Sequence, residues 1–248
     1  MAGVGDDGMG DEAAETWVFA YGSLMWNPGF PFAEARRAVL NGFHRAFCVY
    51  SVHYRGTALR PGLVLGLDRG GVCHGLAFRL APETEAVALA YLRQRELIYG
   101  VYREARVLVD VAADVAAEPA RAVWAVTYIA ERAHPAYAGR LPMMRQAAFI
   151  RRSAGLGGTN LDYLISTRRH LREVGIIEAG LERLATVTGA LAGCCHVQDG
   201  AARPTRALAR AWSERPLASP RTVRDNRFGF RAKCAAGRAM RPNRTGER

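Results

Sequence analysis

Hydrophobic positions become dense at Thr16 and stay dense to about residue 190. Residues 17–21 read as a short buried strand that breaks at Gly22 and runs into the loop Trp26-Asn27-Pro28-Gly29, since an apolar run bounded by Gly and Pro is a strand signal. Strand-like runs follow at 38–40, 46–51, 63–67 and 72–80, and the cluster Asp68-Arg69-Gly70-Gly71 predicts a hairpin turn between the last two. Pro82 stands at the favoured first position of a helix, with Glu83 and Glu85 suited to the positive end of its dipole, and that helix is expected to run to about Leu97. Two more strands are predicted at 106–111 and 122–128, then helices at 142–153, 161–174 and 178–187. Thr159 and Asp162 resemble a capping box opening the second of these helices. Strands first and helices mostly later predict an α+β fold with a curved or barrel-like sheet.

The flanks have a different texture. Residues 1–15 are Gly-rich and acidic, without the basic start and apolar middle of a secretory leader, and are expected to be flexible. From 191 to 248, Ala, Arg, Pro and Ser dominate, and only 202–212 hints at a helix. Such a segment buries too little to offset the entropy of ordering it, so a disordered tail is expected. The division is therefore one folded domain at 16–190 between two poorly ordered ends.

Composition refines this picture. Half the residues are hydrophobic and 23% are charged, an ordinary soluble balance, and no apolar run approaches the roughly 20 residues that span a bilayer. The net charge of +11 is concentrated in the tail: residues 191–248 hold twelve Arg, one Lys and four acids, leaving 21 basic and 19 acidic residues before them. Nucleic-acid contact is thus expected only as non-specific attraction to the tail. The five cysteines (48, 73, 194, 195, 234) lack metal-ligand spacing, and Cys48 and Cys73 lie in apolar runs. Buried reduced thiols in a cytoplasmic protein are the expectation.

Several chemistries are set aside by motif. The single lysine, Lys233, follows no phosphate-binding glycine loop. The Gly155-Leu156-Gly157-Gly158 run follows a predicted helix rather than a strand, which argues against a dinucleotide site. The six histidines form no zinc pattern, and Ser23 lacks the Gly-x-Ser-x-Gly elbow of a hydrolase nucleophile. No metal or other cofactor is expected.

Two features remain. In Phe19-Ala20-Tyr21-Gly22-Ser23-Leu24 a buried strand runs straight into Gly-Ser, leaving backbone N–H groups without sheet partners. Such groups suit an anionic or carbonyl oxygen of a ligand, although an ordinary strand-ending turn accounts for the pattern too. Glu96 is the second. Positions 89, 92 and 96 share a helix face marked apolar by Leu89 and Leu92, which puts a carboxyl on the buried stripe. Burial raises a carboxyl pKa toward the range useful for proton transfer. A plain salt bridge to Arg93 or Arg95 is the competing reading.

Several blocks resemble, in collinear order, the ChaC-type γ-glutamylcyclotransferases. The run from Trp17 to Trp26 is similar to their opening strand and loop, usually Phe-Gly-Tyr-Gly-Ser-Leu, with Ala20 here in place of Gly. His53-Tyr54-Arg55-Gly56-Thr57 with Arg60-Pro61-Gly62-Leu63-Val64 resembles the next block. Tyr91-Leu92, Arg95-Glu96 and Gly100-Val101-Tyr102 resemble the catalytic segment, and Gly155 to Leu164 the late Gly-rich turn. The similarity covers about residues 16–187.

The resemblance implies a small mixed β-barrel with flanking helices and a glutathione-specific cyclotransferase activity that releases 5-oxoproline and Cys-Gly. It implies that Val18, Phe19, Ala20, Tyr21, Gly22, Ser23 and Leu24 hold the γ-glutamyl group, that Glu96 transfers the proton, and that Tyr102 orients the head group. Two alternatives stay open: a cyclotransferase for other γ-glutamyl amides or amines, and a non-enzymatic, basic-tailed nucleic-acid binder. Glu96 within its motif argues against the second.

Overall fold

The computed structural model describes residues 15–112 and 121–190, so the expectations for residues 1–14 and for 191–248 lie outside the described residues. Five strands close into a barrel: β1 (Trp17–Ala20), β2 (Glu34–Ser51), β3 (Gly62–Arg79), β4 (Tyr102–Val111) and β5 (Arg121–Ala130), in the order β1-β3-β2-β4-β5. All pairings are antiparallel except the closing seam, where Trp17 pairs with Ala125 and Val18 with Val126 in parallel. Among the described residues four helices, α1 (Glu85–Glu96), α2 (Met143–Arg152), α3 (Asn160–Glu173) and α4 (Ala179–Ala190), complete the α+β fold expected from the sequence. A two-residue ladder, β6 (Ala154–Gly155) with β7 (Gly158–Thr159), precedes α3.

The hairpin turn expected at 68–71 is not a turn. The runs 63–67 and 72–80 belong to one strand, β3, which stays paired with β2 along its whole length. Asn41 faces Val72 and Phe43 faces Arg69, so Gly42 stands opposite Gly70 and Gly71, all three with positive φ (81°, 96° and 75°). Glycine reaches this backbone region at little cost, and the extra residue makes a bulge that bends the pair instead of ending it. A second register shift lies between Phe47 and Val49. The bends let one long ribbon curve around the core. The actual connection is the 52–61 loop, where Thr57 and Arg60 exchange backbone hydrogen bonds of 2.9 and 3.2 Å.

Phe19, Leu40, Leu63, Leu67, Val109 and Tyr128 fill the barrel, and Leu92, Ile150, Leu164 and Leu171 extend the same core onto the helices. The expected cap of α3 forms, with the Thr159 hydroxyl accepting from the Asp162 amide at 3.0 Å. One residue later, the buried Asn160 side chain accepts from Leu63 N at 2.6 Å and donates to Leu63 O at 2.7 Å. It behaves as an extra strand partner and fixes α3 against the start of β3.

Candidate active site

Glu96 ends α1. Leu92, one turn earlier, is fully buried and Leu89 packs against the core, so the helix face deduced from the sequence does point inward. The Glu96 side chain is only 18% exposed. Burial raises its carboxyl pKa, and Arg95 draws it part of the way back. Arg95 Nε stands 3.2 Å from Glu96 Oε1. The salt bridge posed as the alternative therefore exists, yet the net shift remains upward. Arg93 is committed elsewhere, in a two-pronged pair with Glu104 at 2.8 Å.

Arg95 also reaches across to the other candidate feature. Its guanidinium donates to Asn27 O at 2.8 Å, Pro28 O at 3.3 Å and Ser23 Oγ at 3.1 Å. One side chain thereby fixes the Glu96 carboxyl relative to the 23–28 loop.

Four buried or half-buried phenols sense the Glu96 carboxylate: Tyr21, Tyr102, Tyr128 and Tyr163. Burial lifts each phenol first, with Tyr163 reaching about 12, and the Glu96 charge adds to the rise. They therefore stay neutral hydrogen-bonding groups. The Tyr21 hydroxyl donates to Tyr128 O at 2.8 Å and that of Tyr102 to Leu65 O at 2.6 Å. Of these four, Tyr128 and Tyr163 were missed in the sequence. Tyr163 sits inside the Asn160–Leu164 block, but it takes the tertiary contacts of Asn160 with Leu63 and of Tyr163 with Leu65 to show that this block abuts β3.

The segment from Val18 to Leu24 divides in two. Val18, Phe19 and Ala20 are buried and paired with Phe78, Ala77 and Leu76. The Thr127 hydroxyl donates to Phe19 O at 2.9 Å where the parallel seam has ended. These three residues build the strand that delivers the rest. Pairing stops at Ala20, and Ser23–Met25 form a single 3-10 turn whose Met25 N–H bonds to Gly22 O at 2.9 Å. The amides of Gly22, Ser23 and Leu24 precede that first bond, where a helix leaves its N–H groups unsatisfied. Gly22 has a φ of −130°, and a Cβ there would meet nothing nearer than Leu65 Cδ1 at 3.8 Å. With ψ at −138° the backbone lies outside the regions favoured by residues with a Cβ, so glycine eases this turn and also leaves the space beside it open.

Arg45, missed in the sequence, anchors the start of this turn. Its side chain is almost fully buried and donates to Tyr21 O, to Glu178 and, at 2.7 Å, to His74 O. No apolar pattern could have flagged a guanidinium inside the barrel wall. Among the described residues no three His, Cys, Asp or Glu side chains gather as a metal site, and no helix is long and apolar enough to cross a membrane.

The family model described as "ChaC-like protein" matches residues 16–189. A glutathione-specific γ-glutamylcyclotransferase of Escherichia coli K12 is 38% identical over 189 residues, 76% of this chain and 78% of that protein. Glutathione-specific γ-glutamylcyclotransferase 1 of Homo sapiens is 32% identical, covering 71% and 78%. Among solved structures, a yeast γ-glutamyl cyclotransferase specific to glutathione superposes with a TM-score of 0.64 at 22% identity, over 71% of this chain and 96% of the yeast one.

Proposed function

The chain belongs to the ChaC-like family, and from that membership we infer that it is a glutathione-specific γ-glutamylcyclotransferase, cyclising the γ-glutamyl group to release 5-oxoproline and Cys-Gly. The observation that carries the reading is a buried, pKa-raised carboxyl, Glu96, tied through Arg95 to the Gly22–Leu24 turn. It stands in a chain matched over 76% of its length by a relative named for this reaction.

In this reading the substrate's α-ammonium gives a proton to Glu96, and the freed amine attacks its own side-chain carbonyl. A C–N bond forms within the glutamyl group and the bond to the cysteinyl nitrogen breaks. The two protons that leave the α-nitrogen overall arrive on the departing nitrogen, with Glu96 as the carrier. Attacking and attacked atoms share one molecule, so the site's main task is to hold the glutamyl chain bent. The Gly22, Ser23 and Leu24 amides hold the γ-glutamyl oxygen on which charge builds. The neutral phenols of Tyr21 and Tyr102 orient the head group. Buried unpaired thiols at Cys48 and Cys73 fit a reducing, cytoplasmic setting.

The test is to incubate purified protein with glutathione, with and without EDTA, and to follow 5-oxoproline and Cys-Gly by mass spectrometry. Equal formation of both products in the two samples is expected. No 5-oxoproline from folded protein would overturn the reading.

A further inference from the structure

The 52–61 loop carries a cation that the chemistry above does not use. Arg55 is half-buried, its Nη1 donates to Thr159 O at 3.2 Å, and its guanidinium carbon lies 5.3 Å from the centre of the Tyr163 ring. Arginines such as Arg45, Arg93, Arg132 and Arg172 each hold a carboxylate. Among the described residues Arg55 has none. A guanidinium offers five N–H donors in a rigid fork, and Thr159 takes one of them.

The Gly-rich run left unexplained by the sequence wraps this side chain. A Cβ at Gly155 would strike His53 O at 2.4 Å, so that glycine lets the β6–β7 ladder lie against the loop, where Leu156 N and Gly157 N bond to His53 O and Tyr54 O. A Cβ at Gly157 would meet Tyr54 O at 3.1 Å and lie 3.6 Å from Arg55 Cζ, and one at Gly158, whose φ is 96°, would lie 3.4 Å from Nη1. Glycine at both positions leaves the guanidinium uncovered.

Tyr163 joins Arg55 to the proposed reaction centre. Its phenol, lifted first by burial, feels the Glu96 carboxylate pushing up and the Arg55 guanidinium drawing down. Glu96 pairs with Arg95 at 3.2 Å, whereas the Arg55 guanidinium is turned onto Thr159 O and the Tyr163 ring. A carboxylate bound at Arg55 is accordingly not the one on the carbon bearing the reacting amine. In glutathione the remaining carboxylate is that of glycine, at the far end of the Cys-Gly portion, which spans ~7 Å when extended.

Building on the cyclotransferase reading, we propose that Arg55 is a specificity-determining residue whose guanidinium binds the glycyl carboxylate of glutathione. The fork matches a carboxylate with two parallel hydrogen bonds, and the Tyr163 ring holds its plane. Selectivity for glutathione over γ-glutamyl amides with an uncharged leaving part then follows.

The experiment compares glutathione with its glycyl monoethyl ester on wild type, Arg55→Met and Arg55→Lys. In wild type the ester is expected to raise KM roughly 10–100-fold, the worth of a hydrogen bond to a charged group, with kcat little changed. Arg55→Met is expected to raise KM for glutathione by a similar factor and to add nothing for the ester, and Arg55→Lys to recover part of the loss. An ester handled by wild type as well as glutathione overturns the assignment without any variant, which covers the case of Arg55→Met failing to fold. Equal losses on both substrates in Arg55→Met, or no loss on either, overturn it as well. Wild type inert toward glutathione fails the functional reading and this assignment together, whereas active wild type with any of the other adverse outcomes fails this assignment alone.

Discussion

Arg95 and Glu96 are neighbours in sequence at the end of α1, and their side chains pair at 3.2 Å, while the same guanidinium reaches Ser23 Oγ at 3.1 Å. Consecutive helical residues point about 100° apart, and the Arg95 guanidinium bridges that angle while also meeting Tyr91 Oη one turn earlier and the 23–28 loop. Both side chains are largely buried, the cation 23% and the carboxyl 18% exposed. This one side chain thus bears both on the ionisation of Glu96, which burial raises first, and on the placing of the 23–28 loop.

Replacing Glu96 with Gln keeps shape and removes the proposed proton carrier. Turnover is expected to fall roughly 10²–10⁴-fold, or about 3–5 kcal/mol of barrier. Because folding raises this carboxyl's pKa, its contribution to stability is full below the unfolded pKa and is lost as pH rises through the folded value. Glu96→Gln is therefore expected to melt no lower than wild type at neutral pH and to lose that part of the pH dependence. Paired melting and turnover measurements decide the matter: a folded variant with wild-type turnover removes Glu96 from the mechanism.

Arg95→Met deletes the charge that draws the Glu96 pKa down. The carboxyl must be ionised to accept the ammonium proton, so the acid limb of the kcat/KM profile is expected to move to higher pH. Arg95→Lys is expected to shift it less. An acid limb that stays in place in Arg95→Met would show that the pair does not govern the base.

Two glycines separate ligand space from folding. Gly22→Ala has room, since its Cβ would meet only Leu65 Cδ1 at 3.8 Å, and is expected to cost about 1 kcal/mol for its φ of −130° and ψ of −138°, yet to lose roughly 10–100-fold in kcat/KM through displacement of the substrate. Gly75→Ala would drive a Cβ to 2.3 Å from Ala20 O and is expected to cost about 1–3 kcal/mol of stability. Denaturant melts and steady-state kinetics of both variants provide the check, and an unimpaired Gly22→Ala would remove that glycine from substrate binding.

A chain ending at Ala190 retains α4 and sheds the +9 balance of residues 191–248. It is expected to keep its melting temperature and its turnover of glutathione. Any DNA binding by the full chain is expected to be independent of sequence and to weaken steeply with salt. Salt-resistant, sequence-selective binding in a filter or fluorescence assay would contradict an accessory tail.

Local chemistry was written plainly in the sequence. The run into Gly22, the 89/92/96 spacing and the Thr159 cap each depend on residues within a few positions, and each stands in the fold where the pattern put it. Strand continuity was not legible: Gly70-Gly71 reads as a turn by composition, and only its pairing opposite Gly42 on β2 makes it a bulge. The site was half legible for the same reason. Glu96 announces itself by helix period, but Arg45, Tyr128 and Tyr163 gather around the turn through a barrel closed by a parallel seam and an α3 pinned by Asn160. Periodicity records which face of an element is apolar. Which distant element meets that face is decided only when the strands pair and the core packs, and that step is what sets Arg95 between Glu96 and Ser23.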